Sequence, residues 1–485
     1  MCFGLFADPR LNTDVMYEFT KIERIDPAVK PTNERINNFN EISKVYTEED
    51  AGTQASRCVQ CGNPYCSSSG CPLSNNIPQW LKFIADKDIE LAFNISNETS
   101  PFPEILGRIC PHDRLCEGAC TLNENNEGSI DSHGAITIGS IEVSISEKGF
   151  ERGLKPSFEP VDSGKSVAII GSGPAGLSCA TFLLRAGVKP VIYESADQGG
   201  GLMTYGIPGF KLEKKSVQRR IEFLLEAGME MHLNTEVGKD ISFEEIYNKH
   251  DAVFIGIGAT EGRVLDYEAY NDDNIYMAVP FLTNIQKKLE EIPYDSKFDV
   301  TGKNVMVIGG GDTAMDCVRT SVREGAANVK CVYRRDEESM PGSRKEVKSA
   351  KEEGVEFIFN TSPKNFIAEK NKHVKGVSFV KTEVIFSEDS GRGKIMEIEG
   401  TEHVIEADVI ILALGFSNQK IEFLENNNIQ INEWGAIVVD EKQQTSLERV
   451  FAGGDTVRGA DLVVTAALDG REAANHILDK IFEED

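Results

Sequence analysis

Residues 165–195, KSVAIIGSGPAGLSCATFLLRAGVKPVIYES, decide the fold of this chain. An apolar run leads into a glycine-rich turn, a helical pattern follows, and a second apolar run ends in an acid. This order predicts a strand, a turn, a helix and a second strand, which together form a βαβ unit. The turn matches G-x-G-x-x-G at Gly171, Gly173 and Gly176. Such glycines let a pyrophosphate approach backbone N–H groups at the start of a helix, so we predict a dinucleotide site.

An acid and a distant segment indicate which dinucleotide this first turn binds. Glu194 ends the second predicted strand, where a carboxylate accepts hydrogen bonds from the adenine ribose hydroxyls. VFAGGD at 450–455 predicts a short strand that ends in Gly454 and Asp455. A helix is predicted to start near Thr465, with its N-terminus directed at a flavin ring. These features favour FAD at the first turn.

The strand–turn–helix pattern recurs at residues 303–326, KNVMVIGGGDTAMDCVRTSVREGA. Its turn fits G-x-G-x-x-A and includes Gly310, Gly311, Asp312 and Thr313. A second strand is predicted directly after it. The chain therefore repeats its fold type, and we predict a second dinucleotide site at this second turn.

Arginines follow the second turn at the place where the first unit has its acid. Arg334 and Arg335 end the predicted strand, and Arg344 comes shortly afterwards. A guanidinium pairs with a ribose 2′-phosphate, which a carboxylate would repel. We therefore predict NADP(H), and NADPH over NADH, at the second turn. The alternative is that Arg334 and Arg335 form a solvated strand end.

Seven cysteines are concentrated in the first quarter of the chain, in two bursts. Four are spaced C-x2-C-x4-C-x4-C before a proline, and three are spaced C-x5-C-x3-C. Closely spaced thiolates on loops are typical of iron–sulfur clusters, whereas zinc sites more often use two separated C-x-x-C pairs. One cluster with spare cysteines, or zinc, are the alternatives. The bursts are Cys58, Cys61, Cys66 and Cys71, then Cys110, Cys116 and Cys120.

Size and charge limit the classes of partner. A chain of 485 residues predicts two to four domains. The net charge of −27 repels phosphate backbones and anionic lipid, so neither nucleic acid nor a membrane is an expected partner. The sequence shows no secretory signal and no apolar run long enough to span a bilayer, which favours a cytoplasmic location where cysteines stay reduced.

The predicted domain order follows from these motifs. Residues 1–160 are expected to form a helical cluster domain with an irregular N-terminal arm, and the apolar pattern at 78–93 predicts a helix within it. Residues 161–298 are expected to form the first part of the flavin domain, and 299–414 the NADP(H) domain. Residues 415–485 return to the flavin domain, so the second unit is inserted in the first.

The chain resembles the small (β) subunit of bacterial NADPH-dependent glutamate synthase over nearly its whole length. The most specific matching stretches are RCVQCGNPYC (57–66), GRICPHDRLCEGACTLN (107–123), GAITIGSIE (134–142), YGIPGFKLEK (205–214), GGGDTAMDCVRTSVREGA (309–326), YRRDEESMPGSRKEVKSAKEEGVEF (333–357) and FAGGDTVRGADLVVTA (451–466). The resemblance implies an α/β fold with two doubly wound, adrenodoxin-reductase-like domains, the second inserted in the first, behind a mainly helical iron–sulfur domain.

The resemblance also implies which residues hold the cofactors. Two [4Fe–4S] clusters with crossed ligation are expected, the first on Cys58, Cys61, Cys66 and Cys120, the second on Cys71, Cys110, Cys116 and the carboxylate of Glu142. Four residues separate Cys66 from Cys71, where the family usually has three. The resemblance adds Leu202, Lys211 and Val237 to the expected FAD contacts, and it points to the same nucleotide residues as the second turn.

The function implied is that of an electron-input subunit, in which NADPH reduces FAD and single electrons pass through the clusters to the large (α) subunit. That subunit forms glutamate from glutamine and 2-oxoglutarate. Hydride transfer needs positioning, so no acid–base residue is predicted. The closest alternative is a ferredoxin–NAD(P)H transhydrogenase or a sulfide-linked reductase subunit of the same architecture. A scaffold with structural clusters is the third hypothesis.

Overall fold

The N-terminal part of the chain is a helical domain. The computed structural model describes residues 18–123, 133–265, 274–368, 373–385 and 393–483. The helices of this domain are α1 (Thr32–Arg35), α2 (Glu48–Ala55), α3 (Tyr65–Ser68), α4 (Ile77–Ala85), α5 (Ile89–Thr99), α6 (Pro103–Ile109) and α7 (Ile138–Glu151), with a 3₁₀ turn at His112–Arg114. Its core includes the fully buried side chains of Trp80, Phe93 and Ile141.

The apolar pattern at 78–93 forms two helices where the sequence predicted one. Lys87 adopts a positive φ of 66°, which no helix continues through. The Asp88 carboxylate then accepts a hydrogen bond from the backbone N–H of Leu91 and caps α5. The break between α4 and α5 therefore comes from local turn chemistry within a continuous apolar pattern.

The first α/β unit is built around a five-stranded parallel sheet. Its elements before the insertion are β1 (Ser166–Ile170), α8 (Pro174–Arg185), β2 (Lys189–Tyr193), α9 (Leu202–Tyr205), α10 (Lys214–Glu226), β3 (Glu230–His232), α11 (Phe243–Lys249), β4 (Ala252–Ile255) and β5 (Glu261–Gly262). The elements after the insertion are α15 (Glu422–Asn426), β16 (Val450–Ala452), α16 (Asp455–Arg458) and α17 (Val463–Glu483). The strand order is β16-β4-β1-β2-β3.

The second α/β unit repeats this architecture and adds an antiparallel layer. Its elements are β6 (Ile275–Met277), α12 (Ala278–Leu289), β7 (Asn304–Ile308), α13 (Asp312–Arg323), β8 (Asn328–Val332), α14 (Arg344–Glu352), β9 (Glu356–Ile358), β10 (Thr361–Ala368), β11 (Val374–Ile385), β12 (Lys394–Glu397), β13 (His403–Glu406) and β14 (Val409–Leu412), with a 3₁₀ turn at Ser296–Phe298. The parallel sheet has the order β6-β14-β7-β8-β9, and β11 pairs with β10, β12 and β13 in the antiparallel layer.

The second unit is inserted in the first, which confirms the predicted fold class. The chain leaves through β5 and returns through β15 (Phe416–Ser417), and these two short strands pair with each other. The expected boundary at 298/299 stays a prediction. Strand β6 pairs with β14 in the second sheet, and Phe281 of α12 is in the second core. Because no glycine turn follows this short strand, the local pattern does not predict it, and we propose instead that the second unit begins before Ile275.

The described part of the N-terminal arm packs on the second unit as well as on the cluster domain. Arg35 is buried, and its Nε lies 2.9 Å from Glu353 Oε1. Arg323 of α13 donates from Nε to the Asn38 carbonyl oxygen at 3.1 Å. Among the described residues, no helix has both the length and the apolar character to cross a membrane.

Candidate functional site

The first glycine turn leaves an open backbone surface at one of its three glycines. Gly171 has φ of +96°, and an added Cβ there would lie 2.6 Å from the Gly256 carbonyl oxygen. At Gly176 an added Cβ would lie 2.0 Å from the Gly171 carbonyl oxygen. At Gly173, the N-cap of α8, nothing in the chain lies within 4 Å. Gly171 and Gly176 are therefore required by the turn itself, and Gly173 is the position that a ligand can approach.

Glu194 lies beside this turn at the end of β2. Its Oε2 accepts hydrogen bonds from the N–H and Oγ of Ser172, at 2.8 and 2.6 Å. Its Oε1 accepts from the N–H of Ala196 at 2.8 Å. The N–H of Thr235 donates a hydrogen bond to the Glu194 carbonyl oxygen. Val237, two residues further along the chain, is buried. Glu194 therefore lies beside the turn, and a contact of Val237 with FAD stays a prediction.

The C-terminal part of the chain closes on the same turn. An added Cβ at Gly454, whose φ is +78°, would lie 3.0 Å from the Cβ of Ala175 in α8 and 3.5 Å from that of Ala466 in α17. Thr465 is in the first turn of α17. Burial raises the pKa of Asp455 to about 7. Gly454 is therefore packed between α8 and α17, and a contact of Gly454, Asp455 or Thr465 with FAD stays a prediction.

Two further predicted FAD residues, Leu202 and Lys211, lie in the middle of the first unit. Leu202 begins α9 directly after Gly201, where an added Cβ would lie 2.8 Å from the Gly173 Cα. Lys211 extends toward the second unit, with its Nζ 2.9 Å from Asp316 Oδ1. Burial alone would lower the pKa of Lys211, but the carboxylates of Asp316 and Glu346 raise it above its ordinary value. A contact of Lys211 with flavin stays a prediction.

The second glycine turn has the same open position. An added Cβ at Gly310 would lie 2.4 Å from the Tyr333 ring, whereas at Gly311 nothing lies within 4 Å. Asp312 begins α13, and its Oδ1 accepts a hydrogen bond from the N–H of Ser343 at 2.9 Å. Thr313 follows in the first turn of this helix.

The predicted 2′-phosphate arginines lie on the segment that follows β8. Arg334 is exposed, Arg335 is half-buried, and Arg344 is exposed as the first residue of α14. Within the described ranges, no carboxylate forms an ion pair with any of the three. The N–H of Gly342 donates to the Gly310 carbonyl oxygen at 3.0 Å, so this segment folds back on the glycine turn. A phosphate ester fits this set of unpaired cations.

The seven clustered cysteines surround two separate cavities in the helical domain. The lining of the first cavity includes Cys58, Cys61, Cys66 and Cys120. The lining of the second cavity includes Cys71, Cys110, Cys116 and Glu142. Each group has the membership of one of the two ligand sets that the resemblance implied, and its role in holding a cluster stays a prediction.

The candidate ligands of the first cavity are four thiols, and those of the second are three thiols and a carboxyl. In the described part of the chain, no three His, Cys, Asp or Glu side chains are gathered closely enough to hold one metal ion. Burial raises the pKa of Cys58 to about 11 and of Cys66 to about 12, so these thiols need a metal to become thiolates. The extra residue before Cys71 is accommodated, because the chain turns through α3 and Gly70 then packs against Cys116.

Glu142 is held in the second cavity by a residue that the sequence analysis missed. Its Oε1 accepts a hydrogen bond from Asn75 Nδ2 at 2.7 Å, and Asn75 Oδ1 accepts one from Thr99 Oγ1 at 2.9 Å. Burial raises the pKa of Glu142 to about 8. The position of Asn75, four residues after Cys71, was the available signal.

Comparison with known proteins agrees with this arrangement. Residues 35–154 match the family model described as dihydropyrimidine dehydrogenase domain II, 4Fe-4S cluster, and residues 165–470 match the pyridine nucleotide-disulphide oxidoreductase model. The chain is 46% identical to the glutamate synthase [NADPH] small chain of Escherichia coli, over 96% of this chain and 98% of that protein. The chain belongs to the glutamate synthase [NADPH] small-chain family.

Two more distant likenesses complete the comparison. The putative oxidoreductase AegA of Escherichia coli is 43% identical over 94% of this chain and 69% of its own length. The solved structure of Mycobacterium tuberculosis FprA in complex with NADPH matches with a TM-score of 0.55 at 18% identity, covering 67% of this chain and 85% of that one. The latter likeness shows the fold of the two α/β units.

Membership of this small-chain family makes the chain an NADPH-dependent oxidoreductase with an iron–sulfur domain. The three described cysteines outside the two bursts line neither cysteine cavity. Cys179, Cys317 and Cys331 are fully buried in the two α/β cores, and burial raises the pKa of each thiol. A buried carboxylate that the sequence analysis missed, Asp469, accepts a hydrogen bond from the Gly454 N–H at 2.8 Å and fixes that turn.

Proposed function

We propose that this chain is the electron-input subunit of a glutamate synthase. In this proposal it oxidises NADPH through FAD and delivers single electrons, through two [4Fe–4S] clusters, to a large subunit that forms glutamate from glutamine and 2-oxoglutarate. The observation that carries the proposal is that the second cysteine cavity adjoins the predicted flavin site. Val464 of α17 lines that cavity, and Thr465 is the next residue.

The ligand sets are assigned by cavity. Cys58, Cys61, Cys66 and Cys120 are proposed to hold one cluster, and Cys71, Cys110, Cys116 and Glu142 the other. When bound, FAD takes a hydride from NADPH and the clusters carry one electron each. Because Val464 joins the second set to the start of α17, we propose that the second cluster is nearer the flavin and the first is nearer the large subunit.

The chain's own contribution to hydride transfer is positioning. The N-termini of α8 and α13 present backbone N–H groups at Gly173 and Gly311, where each pyrophosphate is proposed to bind. The ion pair of Lys211 with Asp316 joins the flavin unit to the helix that begins at the nucleotide turn. Holding the two units in register brings the two rings together, and transfer between them needs proximity more than a proton donor.

Anaerobic titration of the reconstituted protein tests this function. NADPH is expected to bleach the flavin absorbance rapidly, and NADH much more slowly, because the arginines near the second turn favour a 2′-phosphate. EPR spectra at low temperature then report whether electrons leave the flavin. Absence of bleaching with either nucleotide would contradict the oxidoreductase role and leave the structural scaffold.

A different electron acceptor is the second candidate. The relative named as a putative oxidoreductase is 43% identical over 94% of this chain, so this architecture also occurs outside proteins named glutamate synthase. Mixing the reduced protein with a glutamate synthase large subunit and, separately, with ferredoxin distinguishes the two. Glutamate formation supports the first candidate, and ferredoxin reduction without glutamate formation supports the second.

A further inference from the structure

The iron–sulfur domain reaches the second glycine turn through one side chain. Arg114 lies in the Cys110–Cys116 loop, between two residues that line the second cavity. Its Nη1 donates a hydrogen bond to the Pro341 carbonyl oxygen at 2.9 Å, and its Nη2 lies 3.4 Å from Asp312 Oδ2. Both partners belong to the second α/β unit.

Together with two backbone hydrogen bonds, these two contacts hold residues 341–343 against the second glycine turn. The N–H of Gly342 donates to the Gly310 carbonyl oxygen at 3.0 Å. The N–H of Ser343 donates to Asp312 Oδ1 at 2.9 Å, so the two oxygens of this carboxylate face Ser343 and Arg114. The segment leads directly into Arg344, so these contacts fix the backbone immediately before that residue.

The ion pair between Arg114 and Asp312 also balances charge at the second glycine turn. Asp312 is the first residue of α13, a position where a helix stabilises an anion. It is also the place where a pyrophosphate is proposed to bind, and a carboxylate without a counter-charge would repel it. The guanidinium of Arg114 supplies that counter-charge. Within the described residues, it is the cation that pairs with Asp312.

We propose that Arg114 is a positioning residue of the NADP(H) site, contributed by the iron–sulfur domain. It neutralises Asp312 and holds the 341–343 segment so that Arg344 faces the 2′-phosphate. This inference rests on the proposed function of the second turn. Because the same loop carries Cys110 and Cys116, nucleotide binding and the loop around the second cavity influence each other, as linkage requires.

Equilibrium binding of NADP⁺ to the oxidised, cluster-loaded protein tests this role. Arg114→Gln is expected to weaken NADP⁺ binding roughly tenfold. Arg114→Lys is expected to be intermediate, because a single ammonium does not reproduce two branches of a guanidinium. Arg152→Gln is the matched control: Arg152 is in the same domain, is 50% exposed where Arg114 is 45%, and pairs with Glu48. The control is expected to bind NADP⁺ like the wild type.

Hydrogen exchange of the 341–345 backbone adds a readout that needs no turnover. The Ser343 N–H is expected to exchange faster in Arg114→Gln than in the wild type, and NADP⁺ is expected to slow it less. A wild type that does not bind NADP⁺ would overturn the proposed function itself. A wild type that binds NADP⁺ no more tightly than Arg114→Gln would overturn only the inference, even if the exchange rates differ.

Discussion

Gly311→Ala tests whether the second glycine turn holds a pyrophosphate. Gly311 has φ of −88° and ψ of 178°, an extended conformation that any residue adopts, and an added Cβ meets nothing within 4 Å. The fold is therefore expected to stay intact, with a gain of about 0.4–1 kcal/mol in unfolding free energy from the restricted unfolded chain. The new methyl projects into the space proposed for the pyrophosphate, and overpacking of this kind costs about 1–3 kcal/mol. The Kd of NADP⁺ is expected to rise roughly 5- to 150-fold.

The matched variant is Gly173→Ala in the first turn. Gly173 has φ of −66° and ψ of −175°, and its added Cβ is equally free of contacts. This variant is expected to lose FAD, while Gly311→Ala keeps it, so each variant controls for the other. FAD content after desalting, calorimetric titration with NADP⁺ and thermal unfolding give the three readouts. Wild-type NADP⁺ affinity in Gly311→Ala, or loss of both cofactors together with stability, would contradict a pyrophosphate site at Gly311.

Three further predictions concern buried charges. The ion pair between Glu104 and Arg220, fully buried with its closest N–O distance at 2.6 Å, joins the iron–sulfur domain to the flavin unit. Glu104→Gln is expected to cost about 3–5 kcal/mol in urea unfolding, whereas the double change Glu104→Leu with Arg220→Met is expected to lie closer to the wild type. Burial lowers the pKa of His250 from its ordinary value of 6.5 to about 4. Between these two pH values the imidazole is protonated in the unfolded state and neutral in the folded state. Stability is therefore expected to fall by about 1–2 kcal/mol between pH 7 and pH 5 through this residue, and His250→Gln should remove that part of the pH dependence. Glu142→Gln is expected to halve the iron content and to leave the FAD content unchanged; full iron occupancy would rule out a ligand role.

Much of the fold could be predicted because its signals are local. Each glycine turn lies between an apolar strand and a helix within about thirty residues, so the two βαβ openings and their carboxylate and arginine positions follow from the pattern. Strand β6 gave no such signal, because its place in the second sheet depends on pairing with β14 more than 130 residues later. The contact of Arg35 with Glu353 is likewise a long-range ion pair that no local pattern encodes.

The candidate site also has features that the local sequence predicts and features that depend on the folded structure. The spacing of the cysteines indicated iron–sulfur chemistry but did not determine which thiols share a cavity, since Cys66 and Cys120 come from different bursts. That grouping came from the family resemblance. Asn75 and Asp469 were missed because their roles are to hold Glu142 and the Gly454 turn, and such supporting contacts depend on the folded geometry.

The most direct test of the electron-input role is glutamate formation by the wild type and by Cys61→Ser, each mixed with a glutamate synthase large subunit, NADPH, glutamine and 2-oxoglutarate. The wild type is expected to form glutamate in step with NADPH oxidation. Cys61→Ser is expected to keep its FAD and its bleaching by NADPH, which shows that the α/β units are intact, but to form no glutamate. Glutamate formation by Cys61→Ser at the wild-type rate would contradict a path through the first cysteine set.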